Sequence, residues 1–399
     1  MWRAGGGVTA RKLNAARTAA QTIRLSRLRP AAWGALAALA WAGPAASQQP
    51  DTPGGLGAID GIAVGHHTLE GGRTGCTVVL TTKGATAGVD VRGGAPGTRE
   101  TALLDPANSV RRVHAVVFSG GSAFGLDAAS GVVRWLEEHE IGYQVGSHLV
   151  PIVTGAILFD LSVAGPGNRP GPDCGYAAAE RAARSAGPPG PADIFVKMEG
   201  NVGAGAGASI GKLLGLDAAM KGGVGTKVFV REDGLTVGAL VAVNAVGDVL
   251  DPATGQVVAG ARGGDGLADA RKLLHSGWLR GTSPVERPGE NTTLAVVGTN
   301  ASLTQAQATR VARMAHDGIA RAIYPAHTPA DGDIVFVLAT GLHTAGGGDS
   351  APAATSGQDI GLIGALAADA VAAAIVRAVC AAEPLAGLPS ATEAGACPK

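Results

Sequence analysis

Apolar runs of strand length alternate along this chain with Ala-rich stretches of helical length, and no regular βαβ repeat of about 30 residues links them. Strands are predicted over 59–66, 77–81, 89–92, 114–118, 227–231, 237–243, 294–298 and 334–340. The pair 227–231 and 237–243 is joined by Glu232-Asp233-Gly234 as a hairpin. Helices are predicted over 127–139, 175–186, 304–323 and 360–382. This interleaving predicts an α/β fold of mixed sheets covered by helices, not a doubly wound parallel sheet. The chain holds 63 glycines against 5 Trp, 3 Tyr and 6 Phe, so its layers must meet through close backbone approach instead of aromatic anchors. At 399 residues, 46% of them hydrophobic, it can bury a large core as one large domain or two.

The N-terminus reads differently. Seven basic residues (Arg3, Arg11, Lys12, Arg17, Arg24, Arg27, Arg29) precede an apolar run, 31–43, and the small residues Pro44-Ala45-Ala46-Ser47. That order is a secretory signal with a cut after Ser47, or a transit peptide or misplaced start. The apolar run is too short to span a bilayer comfortably, so no stable membrane anchor is expected. The leader carries seven of the 32 basic residues and none of the 32 acidic ones, which leaves the remainder at minus 7. No basic stripe survives in it, which argues against nucleic acid as a partner. The expected organisation is a signal peptide (1–47), a linker (48–57), a main domain (58–383) and a tail (384–399), exported to the periplasm or secreted.

Cys76, Cys174, Cys380 and Cys397 lack any paired CxxC spacing, which disfavours a zinc cluster. In an oxidising compartment Cys380 and Cys397 can close a C-terminal loop, with free buried thiols as the alternative. Cys76 reads as a small core residue.

Several glycine-rich stretches invite functional readings that their details refuse. Ser119-Gly120-Gly121-Ser122-Ala123-Phe124 lacks the final glycine of a nucleophile elbow; Ser122 reads as a loop and helix-start residue. The run Gly200 to Lys212 misses the phosphate-loop fingerprint: Ala206 stands at the first glycine position, and Leu213 follows Lys212. The loop Gly93 to Thr101 can cradle an anion or line a cleft, or merely connect strands.

The stretch that carries chemistry is Glu290-Asn291-Thr292-Thr293-Leu294, where a polar coil (251–290) turns into a buried strand. A strand start is rigid enough to hold a nucleophile and open enough to expose it, although a Thr pair there also suits a plain strand. The economical base for a threonine hydroxyl is its own α-amine, freed by cleavage of the preceding bond and titrating near 7.7–8.0. The same hydroxyl can make the cut: attack on the Asn291 carbonyl gives an ester by an N-to-O acyl shift, and water then releases Thr292. Each attack builds an oxyanion that needs a donor, and the side-chain amide of Asn244, at a predicted strand end, is a candidate. In Ala330-Asp331-Gly332-Asp333 two carboxylates precede a strand and can orient the nucleophile; a solvated turn is the alternative. No cofactor or metal is expected.

Taken together, Gly93 to Thr101, Leu104-Asp105-Pro106, Ser119 to Leu126, Gly200 to Lys212, Val243 to Asp248, Asn291 to Leu294 and Asp331-Gly332-Asp333 resemble the DmpA-like family of N-terminal-nucleophile hydrolases. That family includes L-aminopeptidase/D-amidase/D-esterases, β-peptidyl aminopeptidases and the nylon-oligomer hydrolase NylC. The likeness runs in order from Gly57 to about Ala382. It implies an αββα sandwich of the DmpA/ornithine-acetyltransferase-like type, self-cleavage into an α chain ending at Asn291 and a β chain starting at Thr292, and a homo-oligomer, often a tetramer. Its nucleophile maps to Thr292, its oxyanion-side Asn to Asn244 and its acidic motif to Asp331 and Asp333. Its lysine maps best to Lys212, with Lys221 the other candidate, and Phe159 stands in the place of its tyrosine. His316 and His327 stay structural. The implied activity is hydrolysis of small peptides, amino-acid amides or esters, or ω-amino-acid oligomers. An ornithine acetyltransferase-like acyltransferase and a non-catalytic secreted binding protein are the alternatives.

Overall fold

The computed structural model describes residues 52–186, 197–264, 266–276, 290–343 and 357–398. The leader expected over 1–47, most of the coil just ahead of Glu290 and most of the loop before the last helix lie outside the described residues.

Nine strands form the principal sheet: β1 (Ala63–Thr68), β2 (Gly75–Val91), β3 (Thr98–Arg99), β4 (Arg112–Ser119), β5 (Val153–Ile157), β6 (Gly223–Val230), β7 (Thr236–Asn244), β8 (Thr292–Thr299) and β9 (Ile334–Ala339). Their order is β6-β7-β8-β9-β2-β4-β5-β3, with β1 also paired to β2. The pairs β8/β9 and β4/β5 are parallel and the others antiparallel, so the sheet is mixed. Four longer helices cover it: α1 (Ala128–Glu138), α2 (Pro172–Ser185), α3 (Gln305–Ala322) and α4 (Gly357–Cys380). The first turn of α3 is closed by a capping box between Thr304 and Gln307.

The long strand β2 explains how one ladder makes two layers. Two separate strands are expected there, but the chain runs on through a register shift between Leu80 and Ala85. Its first half pairs with β1 and β4, and its second half, after two further pairs with β4 at Ala85 and Thr86, with β9. Three apolar clusters follow. Leu240, Ala242, Leu294, Val296 and Phe336 face Val79, Val116 and Phe118 between the layers, with the Phe118 and Phe336 rings 6.2 Å apart. The alternate residues Val241, Val243, Ala295, Val297 and Val335 pack outward on α3 and α4. On the other side Val78, Leu80, Ala115 and Val117 pack on α1 and α2. The layering is therefore helix, sheet, sheet, helix. Both faces of β7, β8 and β9 are buried, so these strands read as unbroken apolar runs. Helix α4 contains the one stretch among the described residues long and apolar enough to cross a membrane, Asp359–Cys380; 61% of its most apolar window is buried within the fold.

Two expectations need correction. Cys76 is no lone core residue, because it forms a disulfide with Cys174 that ties β2 to α2 across 98 residues. Such a long-range pair leaves no local spacing for a reader to find. Cys380 and Cys397 pair as the first of their two readings expects. They fasten the tail, whose Pro389 carbonyl accepts from the Lys221 amide, to α4. The described part of the stretch 251–290 is also less irregular than its polarity suggests. Within it Val257–Ala259 pairs with Asp248–Leu250, and a short helix spans Ala270–His275.

Candidate active site

Strand β8 sits between an antiparallel and a parallel neighbour, and all three terminate at one level. Asn244, the last residue of β7, is in register with Thr292, and Asn291 bridges Asp331 just ahead of β9. The topology thus gathers Asn244, Thr292, Asp331 and Asp333 into one place. With the Asn291–Thr292 bond intact this place is closed: Thr292 is 2% exposed, and Asn244, Asp331 and Asp333 are buried too. The strand start is not open as expected, because both of its neighbours wall it in.

On the β7 side the groups are an amide and an ammonium. Asn244 Nδ2 donates to the carbonyls of Phe159 (2.9 Å) and Glu290 (3.3 Å). Its Oδ1 accepts from Ser209 N (3.0 Å) and from Lys212 Nζ (3.1 Å). Lys212 Nζ also donates to the Asn244 carbonyl (3.1 Å) and to the Glu290 carbonyl (3.0 Å). Desolvation pushes the Lys212 pKa down to about 7, against the opposing pull of the Asp331, Glu290 and Asp160 carboxylates.

On the β9 side the groups are acids and main-chain donors. The Asn291 carbonyl accepts from Gly332 N (2.8 Å) and from the hydroxyl of Thr292 itself (2.5 Å). Asp333 Oδ1 accepts from Thr293 N at 2.7 Å, and its Oδ2 accepts from His327 N at 2.9 Å, with His327 Nδ1 at the same distance. Asp331 Oδ2 accepts from Thr328 N at 2.8 Å. Burial and the nearby Asp333 charge push the Asp331 pKa up to about 6, despite its bonds to Thr328 and the pull of Lys212.

The loop after β2 holds these acids. Arg92 N and Gly93 N donate to the Asp333 carbonyl, and Ala95 N to that of Asp331. A Cβ at Gly93 would lie 2.3 Å from Asp331 O and Asp333 N, so only glycine allows this approach. The loop thus packs its backbone directly on the Asp331-Gly332-Asp333 turn.

The two candidate lysines separate cleanly. Lys221 is buried and donates to the carbonyls of Gly205 (2.9 Å), Ala208 (2.8 Å) and Gly222 (2.8 Å), touching neither Asn244 nor Glu290. The Gly200 to Lys212 run thus turns carbonyls onto a cation, the reverse of a phosphate cradle. Two contacts went unseen in the sequence. His327, read as structural, has the particular task of holding Asp333, while His316 packs edge-on against His327 with 4.8 Å between ring centroids. Gly332 contributes only its N–H, for which no residue type is a signal. Among the described residues no group of three or more His, Cys, Asp or Glu is placed to hold a metal.

Known proteins share this architecture. The chain matches, with a TM-score of 0.58 and 23% identity over 84% of its length and 88% of the other's, a β-aminopeptidase of Burkholderia sp.. It matches the L-aminopeptidase D-Ala-esterase/amidase of Ochrobactrum anthropi, described as a variant of the Ntn hydrolase fold, at 0.56 and 23% over the same shares. An uncharacterized aminopeptidase of Mycobacterium leprae is 48% identical over 353 residues, 83% of this chain and 91% of that one. A 6-aminohexanoate-oligomer endohydrolase of Kocuria sp. is 31% identical over 285 residues, 70% and 73% of the two chains. The solved structures show that this chain has the Ntn hydrolase fold, and the relatives point to a hydrolase. The profile of peptidase family S58 matches residues 56–392, and the chain belongs to that family.

Proposed function

We propose that the chain cuts itself between Asn291 and Thr292 and that the new N-terminal Thr292 then hydrolyses small peptides, amino-acid amides or esters, or ω-amino-acid oligomers. The observation that carries this reading is the Thr292 hydroxyl, 2.5 Å from the Asn291 oxygen in a buried setting, on the bond it would attack. Asp333 holds the neighbouring Thr293 N–H and so fixes the strand start. Asp331 is the carboxylate that orients the hydroxyl and, after the cut, the amine. That amine titrates near neutrality when unperturbed and serves as the base. Departure of the segment ending at Asn291 opens the closed site and frees Asn244 and Lys212 from the Glu290 carbonyl to hold a substrate oxygen instead. The relatives named as aminopeptidase and as oligomer endohydrolase support the substrate range.

Export fits the two disulfides, which persist in oxidising compartments. Assembly into a homo-oligomer, expected to be a tetramer, is supported by the hairpin 143–150, where Tyr143, Val145, Leu149 and Val150 lie exposed. Thr292→Ala should remain one chain and release no product from amino-acid amides or 6-aminohexanoate oligomers. Turnover by that variant at the wild-type rate overturns the assignment.

A further inference from the structure

The groups expected to stabilise an oxyanion do not touch the carbonyl that self-cleavage would attack. Asn244 Nδ2 and Lys212 Nζ both lie on the Glu290 oxygen, one residue upstream. The Asn291 oxygen has a different partner, the main-chain N–H of Gly332 at 2.8 Å. From this geometry we propose that the Gly332 N–H is the oxyanion donor for self-cleavage, while Asn244 and Lys212 become donors only for substrate. The assignment rests on the self-cleavage proposed above and divides its site into two holes used in succession.

The plain alternative is a ladder bond, since Asn291 and Asp331 continue the parallel register of β8 and β9. Two features go beyond a ladder. The next donor along β8, Thr293 N, is taken by the Asp333 side chain, so the junction is shaped around this carbonyl. Gly332 is also needed for space: its φ lies outside the left-handed region, yet a Cβ there would sit 2.9 Å from Thr292 Oγ1 and 3.0 Å from Ala95 O. A side chain would push on the attacking oxygen.

The step balances without a cofactor. Thr292 Oγ bonds to the Asn291 carbonyl carbon and the π pair moves onto the carbonyl oxygen, which accepts from Gly332 N–H. The C–N bond then breaks, the hydroxyl proton passes to the leaving nitrogen, and an ester and a free α-amine result. Water adds to the ester carbon and Oγ leaves with a proton from that water, giving the Asn291 carboxyl group.

The test replaces Gly332 by glycolic acid in full-length protein made by cell-free translation, which deletes the N–H and adds no side chain. Cleavage of the Asn291–Thr292 bond is followed by mass spectrometry beside wild type. The expected result is cleavage slowed by about 100- to 1,000-fold, the effect of losing one oxyanion donor. A folded glycolate variant cut within threefold of the wild-type rate overturns the donor assignment, whereas a wild-type chain that never cuts overturns the self-cleavage reading instead. If the glycolate chain does not fold, hydrogen exchange on the Thr292→Ala precursor decides. Gly332 N–H protected from exchange supports the assignment, and exchange at the rate of an open amide overturns it.

Discussion

The two neighbours of β8 treat the segment to be cut in opposite ways. On the antiparallel side the end of β7 brings the Asn244 amide, and the turn at Lys212 brings its amine, to the Glu290 carbonyl, groups that an outgoing peptide would leave empty. On the parallel side the turn ahead of β9 brings the Gly332 N–H to the Asn291 carbonyl and the Asp333 carboxylate to the Thr293 N–H, and the Asp333 contact stays with the nucleophile strand after a cut. The first flank meets only the outgoing segment and suits substrate; the second also grips the nucleophile strand, through Asp333. Titratable groups of raised and lowered pKa stand on opposite sides of one hydroxyl, an arrangement typical of functional sites.

Substitutions can break this division. Asn244→Ala should lower turnover of an amino-acid amide by about 100- to 1,000-fold, the usual cost of one oxyanion donor, while self-cleavage slows far less. Processing and turnover falling together, measured by gel and by amide hydrolysis, would merge the two flanks. The lysines sharpen it further. Lys221→Met strands three buried carbonyls and should cost on the order of 3 kcal/mol in denaturant unfolding, whereas Lys212→Met should keep most of its stability and lose turnover. The reverse pattern would exchange their roles.

The smallest effect concerns Asp331. Its folded pKa, near 6, lies above its unfolded value, so the stability it lends is full below the unfolded pKa and lost as pH rises through about 6. Asp331→Asn does not titrate. Its melting temperature should therefore gain a few degrees on wild type between pH 4 and pH 7; a gap that stays constant or narrows would place the charge elsewhere.

Much of this was legible in the residues. The strand start at Thr292, the strand end at Asn244 and the Asp-Gly-Asp turn are local patterns, and the burial of β7, β8 and β9 on both faces is written in their unbroken apolar runs. The DmpA-like resemblance joined them into one site, and the family match supports that likeness. What stayed hidden is contact without a residue-type signature. The Gly332 amide is one peptide N–H among hundreds. The carbonyl cage of Lys221 is backbone, and nothing near Cys76 announces Cys174. His327 reaches Asp333 through a tight turn in which its own φ is 58°, a conformation that the sequence around it does not advertise. The apparent exposure of Thr292 failed for a related reason: burial at a strand end depends on where the neighbouring strands stop.

The central claim is that the bond between Asn291 and Thr292 is cut by Thr292 itself. Intact-mass and N-terminal sequence analysis of the purified mature protein tests it most directly. Two fragments meeting at that bond, one beginning with Thr292, are the predicted result, and a hydrolytically active protein that remains a single chain through Asn291–Thr292 would contradict it.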